Sequence, residues 1–187
     1  RGGKEVMERV ASTAARQGGD DAVEQVARLT RQYGPDALAA LDNAPSVVPV
    51  LRSLDGLPEA QVRSALLRLS AGKPGRELAE SITRFGSVAL TSELKHPGVG
   101  AMLVRNLGDD GIDLASKLTT DQAIAIGRHA ESIAALPAAQ RQGVLSLIRR
   151  DTEQVVGFVG RFIEANPGKT LFTVATTTVI LSEPERI

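Results

Sequence analysis

Apolar positions along this chain recur at helical spacing and are punctuated by Gly and Pro. From Lys4 to Gln17, Val6, Val10 and Ala14 lie four apart, Met7 and Ala11 widen the stripe, and Gly18-Gly19 ends the segment. Asp21 followed by Glu24 has the spacing of a capping box, and Ala22, Val26, Leu29 and Tyr33 then line one face of a second helix that ends at Gly34. Pro35 opens a short helix to about Leu41 before Asn43-Ala44-Pro45 turns the chain. Val47 to Leu54 has the apolar run of a buried strand, but Pro49 removes a ladder donor and no partner strand is evident, so a short helix is expected. The clearest helix starts at Pro58, with Val62, Leu66 and Leu69 on one side and Gln61, Arg63, Ser64 and Arg68 elsewhere; Ala71-Gly72-Lys73-Pro74-Gly75 reads as its end.

The same pattern then returns. Tyr33-Gly34, Ala37-Leu38, Pro45, Val47 and Leu51 are matched by Phe85-Gly86, Ala89-Leu90, Pro97, Val99 and Leu103, every pair offset by the same 52 positions. Arg76 to Arg84, carrying Leu78, Ala79 and Ile82, leads into this second copy. Val88 to Leu94 is its short helix, His96-Pro97 the break and Val99 to Leu107 the helix that follows. Gly108-Asp109-Asp110-Gly111 reads as a solvated turn before a short helix from Ile112 to Leu118. Thr119 or Thr120 caps a segment with Ala123, Ile126 or Gly127, and Ala130 to Leu136 on its apolar side. Pro137 opens a helix through Arg150 with Val144, Leu145 and Ile148 inward and Arg141, Arg149 and Arg150 outward, and Asp151 caps another to Ala165. The apolar, Thr-rich segment 167–181 stands apart. Leu171 to Leu181 carries no charge, is shorter than the roughly 20 residues of a membrane-spanning helix, and suits a docked terminal helix, a strand or a membrane-proximal segment.

Helices of about 8 to 14 residues joined by short Gly and Pro breaks predict an all-α fold, an α-solenoid-like stack with a compact irregular helical bundle as the alternative. In helix length and punctuation the motif resembles HEAT and armadillo repeats over residues 20 to 165. That resemblance implies stacked helix pairs presenting an extended surface. The interval is longer than the roughly 40–47 residues usual in those families, and no functional residue is carried over.

Composition narrows the function classes. A chain of 187 residues fits one domain, 1–187, and at that size folding buries roughly 70% of the unfolded surface. Lys plus Arg and Asp plus Glu are 22 each, so no long-range field draws the protein to nucleic acid or anionic lipid. The absence of cysteine excludes disulfides, thiolate metal sites and thiol catalysis. Arg1-Gly2-Gly3 begins the chain without Met or an apolar leader, which leads us to expect a fragment or a processed form of a longer chain and leaves the compartment open.

Several short patterns touch on chemistry. Pro167-Gly168-Lys169-Thr170 looks like the end of a phosphate-binding loop, but Ile163 stands where the pattern needs Gly, so it reads as a helix start. Glu93 and His96 have the Glu-x-x-His spacing of di-metal bundles; no second copy exists, since His129 has Ile126 three residues before it, and His96 before Pro97 reads as a helix-ending residue. His129, between Arg128 and Glu131, is expected to be exposed or paired with a carboxylate. Ser70 to Lys73 and Ser92 to Lys95 match Ser-x-x-Lys without the accompanying motifs of penicillin-recognising enzymes. Asp109, Asp110 and Asp113 around Gly111 suggest a calcium loop, yet the EF-hand order and its closing Glu are missing.

The reading that follows is a non-enzymatic interaction or scaffold domain with a protein partner, no cofactor and no catalytic or metal residue. Its alternative is a structural or anchoring module of a membrane-associated or exported protein, through 167–181. A third reading is an enzyme domain with an unfamiliar site in which Glu93, His96 or His129 takes part.

Overall fold

Among the described residues seven glycines have positive φ, and they mark where most helices stop and restart. The computed structural model describes residues 2–157, among which there is no strand. The elements are α1 (Gly2–Tyr33), α2 (Pro35–Asn43), α3 (Val47–Leu54), α4 (Glu59–Leu69), α5 (Gly72–Phe85), α6 (Ser87–Lys95), α7 (Gly100–Leu107), α8 (Asp109–Lys117), α9 (Thr120–Gly127), α10 (Ala130–Ala134) and α11 (Ala138–Arg150). A short helix, α12, follows at 152–157. The all-helical expectation holds, including for Val47–Leu54, where Pro49 falls in the first turn and loses no intrahelical bond. The expected helix to Ala165 and the segment 167–181 extend beyond the described residues.

Gly19 (φ 67°, ψ −157°) divides α1 into two helices. Gly34 (φ 69°, ψ −144°) and Gly86 (φ 77°, ψ −156°) adopt nearly the same conformation, which a Cβ all but forbids. Thus the aromatic-Gly pairs Tyr33-Gly34 and Phe85-Gly86 share one backbone conformation at the glycine. Gly56 (φ 76°) and Gly108 (φ 58°), with the same 52-position offset, add a further matched pair. Gly34→Ala and Gly86→Ala are each expected to lower stability by about 1–3 kcal/mol, read as an earlier midpoint in urea unfolding.

Three residues beyond most of these corner glycines stands a buried Ala or Gly: Ala22, Ala37, Gly75, Ala89, Ala101 and Gly111. The reason is visible at two of them. A Cβ on Gly75 would overlap the Leu69 carbonyl at the end of α4, and one on Gly111 would overlap the Leu103 carbonyl of α7. At these two corners α5 folds back on α4, and α8 on α7, at backbone contact.

This geometry corrects two expectations and narrows a third. The helix from Pro58 does end before Ala71, at Leu69, but the break is only Ser70-Ala71, because α5 already starts at Gly72 and carries Pro74 in its first turn, where the missing N–H costs no intrahelical bond. Gly108 to Gly111 is not a solvated turn, because only Gly108 separates α7 from α8 and Gly111 is buried. Asp21 is not a cap, because the break lies at Gly19 and Asp21 sits inside the following helix, where a negative charge near the N-terminus is still favourable. The expected caps at Thr119 and Asp151 do form. Thr119 and Gln122 make a reciprocal capping box, and Asp151 Oδ1 accepts from Gln154 N at 3.1 Å.

Packing divides the chain into two compact units after Leu94. In the first, Val26, Leu41, Val50, Leu51, Leu66, Leu69, Leu78 and Ile82 form the interior. In the second, Leu103, Leu114, Ile126, Ile133, Leu145 and Ile148 do so. The inward positions anticipated on α4 (Val62, Leu66, Leu69) and α11 (Val144, Leu145, Ile148) are all buried. Between α9 and α10 the chain breaks at Arg128-His129, after Gly127 packs closely on Val99.

Candidate functional site

The second half of α1 presents Gln25, Arg28, Leu29 and Gln32 at helical spacing, so these side chains share one face. That face, Tyr33, the end of α3 and the start of α4 enclose an open groove of about 280 Å³. Its floor is aliphatic, from Leu29, Leu51, Leu54 and Val62. Its rim is polar, with Gln25, Arg28 and Gln32 on α1 and Asp55 and Glu59 on the α3–α4 side. The Arg63 guanidinium lies 5.3 Å from the Tyr33 ring centroid and is held there by Glu59, whose Oε1 accepts from Nη2 at 2.8 Å. No Ser, Thr, His or Lys lines this groove; its polar groups are the amides of Gln25 and Gln32, the Arg28 guanidinium, the Tyr33 phenol and the carboxylates of Asp55 and Glu59.

The residues that suggested chemistry have other tasks. Glu93, on α6, is buried, and its Oε1 accepts from Arg68 Nη1 at 3.3 Å within the first unit. His96 ends α6, as its place before Pro97 suggested, and is fully buried in the second unit. There His96 Nε2 donates to the Ala115 carbonyl at 2.8 Å, while Nδ1 lies 3.3 Å from the Thr120 hydroxyl. The ring thus serves one of the last carbonyls of α8, a group with no intrahelical donor. Lys95 Nζ donates to the neighbouring Ser116 carbonyl. Asn43, at the matching position of the first unit, donates to Leu69 O at 2.8 Å and Gly72 O at 2.7 Å, tying the end of α4 to the start of α5.

Neither Ser-x-x-Lys pattern forms a nucleophile and base. Ser70 Oγ donates to Leu67 O, Lys73 faces Glu77, and Lys95 is directed at Ser116. The three aspartates of α8 do not form a calcium loop either. Arg149 of α11 reaches both Asp110 and Asp113, with Nε 3.0 Å from Asp113 Oδ2, and Lys117 adds a contact of 2.6 Å to Asp113. Hydrogen bonds first from Lys117 and then from Arg149 hold the Asp113 carboxyl below its ordinary range, and the bonds to Asp110 and Asp113 raise the Arg149 guanidinium in turn. A cationic side chain occupies the place the calcium reading gave to a metal. Among the described residues no group of three or more His, Asp or Glu is placed to hold a metal ion, and no helix is long and apolar enough to cross a membrane.

His129 departs from expectation. It is half-buried, its Nε2 has no hydrogen-bond partner, and its neighbour is cationic Arg128 rather than a carboxylate. Burial, and then Arg128, lowers its pKa from the ordinary value of 6.5. The unfolded chain therefore takes up a proton at this residue before the native chain does. The stability linked to neutral His129 is fully present above 6.5 and is lost as pH falls through the native value. Measured by urea midpoints from pH 7.5 down to 5, the advantage of the natural chain over His129→Gln is expected to shrink with acidity. A difference that stays flat would refute the assignment.

The groove, the Arg149 pairs and the two hydrogen bonds of the Asn43 amide are absent from any local reading of the chain, because each joins elements far apart in sequence. The Gly-x-x-Ala/Gly spacing is local, and it is the signal that would have revealed the tight corners. No family model, curated protein or solved structure matches the chain.

Proposed function

We propose that this chain is a non-enzymatic interaction or scaffold domain whose short helices, stacked as a solenoid or closed as an irregular bundle, present a surface to a protein partner. The observation that carries this reading is the use made of the polar side chains. Glu93, His96, Asp110, Asp113, Asn43 and Arg149 bind other parts of the fold, while the groove beside Tyr33 keeps an aliphatic floor and a polar rim open at the surface. Aromatic and Arg side chains around a small apolar depression are the residue types that dominate protein contacts.

A photo-crosslinking residue at Gln32, on the groove, and another at exposed Glu80, on α5, test the reading in cells of the source organism. A protein adduct formed from position 32, absent from position 80 and lost with Tyr33→Ala, is the expected result. Adducts that form equally from both positions, or none from position 32, would count against it.

The uncharged run Leu171 to Leu181 favours a second reading, an anchoring module of a membrane-associated protein. Flotation with liposomes separates the two: residues 1–187 would float and 1–166 would not.

A further inference from the structure

The first helix of α1 runs up to the Gly18-Gly19 pair, where the backbone leaves helical geometry at Gly19. It is long, yet Val10 and Ala14 are its only fully buried side chains, and both are small. Val6, Met7 and Ala11 are partly covered. An open groove of about 300 Å³ runs along its seam, where Arg9, Thr13, Gln17 and Asp42 stand beside Val10 and Val47. Water enters the seam along this groove, and the apolar adhesion of the segment rests on Val10 and Ala14 with the partly covered Val6, Met7 and Ala11.

Two polar clasps add to this adhesion. Arg9 grips Asp42 of α2 through two parallel bonds, Nε to Oδ1 at 2.7 Å and Nη2 to Oδ2 at 2.8 Å. Gln17 Oε1 accepts from Val47 N at 2.8 Å and from the Ser46 hydroxyl at 3.3 Å, capping the start of α3 from another helix. The Arg9–Asp42 clasp is at the surface, where water competes for the same groups, and the Gln17–Val47 bond is part-buried. Behind them lies Gly19, whose φ of 67° and ψ of −157° set the angle of the segment.

We infer that residues 2–18 form a latched strap. The segment pivots at Gly18-Gly19, opens while the remainder of the first unit stays folded, and on opening uncovers Leu41, Ala44 and Val47 of α2 and α3. Gly18 defines where the pivot begins. A Cβ there would stand 2.8 Å from Val48 Cγ2, so α3 touches the strap backbone at its root and the freedom lies beyond that point. Segments with few buried apolar contacts and exposed polar bonds are those that open locally at low free energy.

Native-state hydrogen exchange on chain 1–187 tests the strap. Amides of residues 10–17 are expected to be protected, yet to exchange at least about ten times faster than those of 66–69 and 78–82. Asp42→Asn and Gln17→Ala should each speed exchange of 10–17 by about two- to fivefold, the range expected for an exposed ion pair and a single cap, without changing the rates at 66–69. High salt should reproduce part of the Asp42→Asn effect and none of the Gln17→Ala effect. Two results would overturn the inference. Exchange of 10–17 in step with 66–69, in the natural chain and both variants, would show that the segment unfolds only with its unit. Unprotected amides at 10–17 in the natural chain would show that nothing latches it.

Discussion

Gly111→Ala is expected to destabilise the second unit by about 3 kcal/mol, at the upper end of the usual range for overpacking. Residue 108 alone separates α7 from α8, so the second helix turns straight back on the first and its third residue meets the Leu103 carbonyl. The obstacle is backbone, which cannot rotate away as the tip of a long side chain can. The two helices must part, and the contacts of Leu103, Val104 and Leu114 loosen with them. Gly143→Ala is the matched control. It lies on the exposed side of α11, where a Cβ meets no atom within 4 Å. There the same added methyl should stabilise by roughly 0.5–1 kcal/mol, because alanine restricts the unfolded chain and favours the helix. Urea titration followed by helical circular dichroism would read both changes. Equal effects at the two positions would remove the close-contact explanation.

His96→Ala is expected to cost about 2–4 kcal/mol, combining the cavity left by a buried ring with the loss of its bond to the Ala115 carbonyl. His96→Gln, which keeps a donor and much of the volume, should cost roughly half as much. The comparison distinguishes a structural histidine from a metal ligand. If the ring acts through Ala115 and Thr120, a chelator or added zinc leaves the urea midpoint of the natural chain unchanged. A midpoint that falls with the chelator would instead restore the metal reading of Glu93 and His96.

Both predictions rest on features of unequal visibility. The intervals of Val62, Leu66 and Leu69, or of Val144, Leu145 and Ile148, are legible in one dimension because a helix places residues three and four apart on one side whatever packs against it. Gly34 and Gly86 are legible for a similar reason, since only glycine readily takes the backbone turn they make. Gly72-Lys73-Pro74-Gly75 misleads because the residues that interrupt a helix are also those tolerated in its first turn. What separates the two roles is whether the chain folds back so that Gly75 meets the Leu69 carbonyl, a contact that the order of residues does not show.

The candidate site was less legible still. Arg28, Tyr33 and Asp55 are unremarkable in their own segments, and the groove exists only because α1, α3 and α4 converge. Likewise, Asp110 and Asp113 read as a cation site until Arg149, from another helix, is seen to supply the charge.

By itself the sequence determined that this protein is helical, where most of its breaks lie and which residues face inward, because helix periodicity, glycine and proline act over a few neighbouring positions. Tertiary structure alone decided that Glu93 binds Arg68, that His96 serves the end of α8, that Arg9 and Gln17 clasp the first helix and that a groove opens beside Tyr33. Those outcomes depend on which helices meet, and that is set by the summed burial of many side chains far apart along the chain.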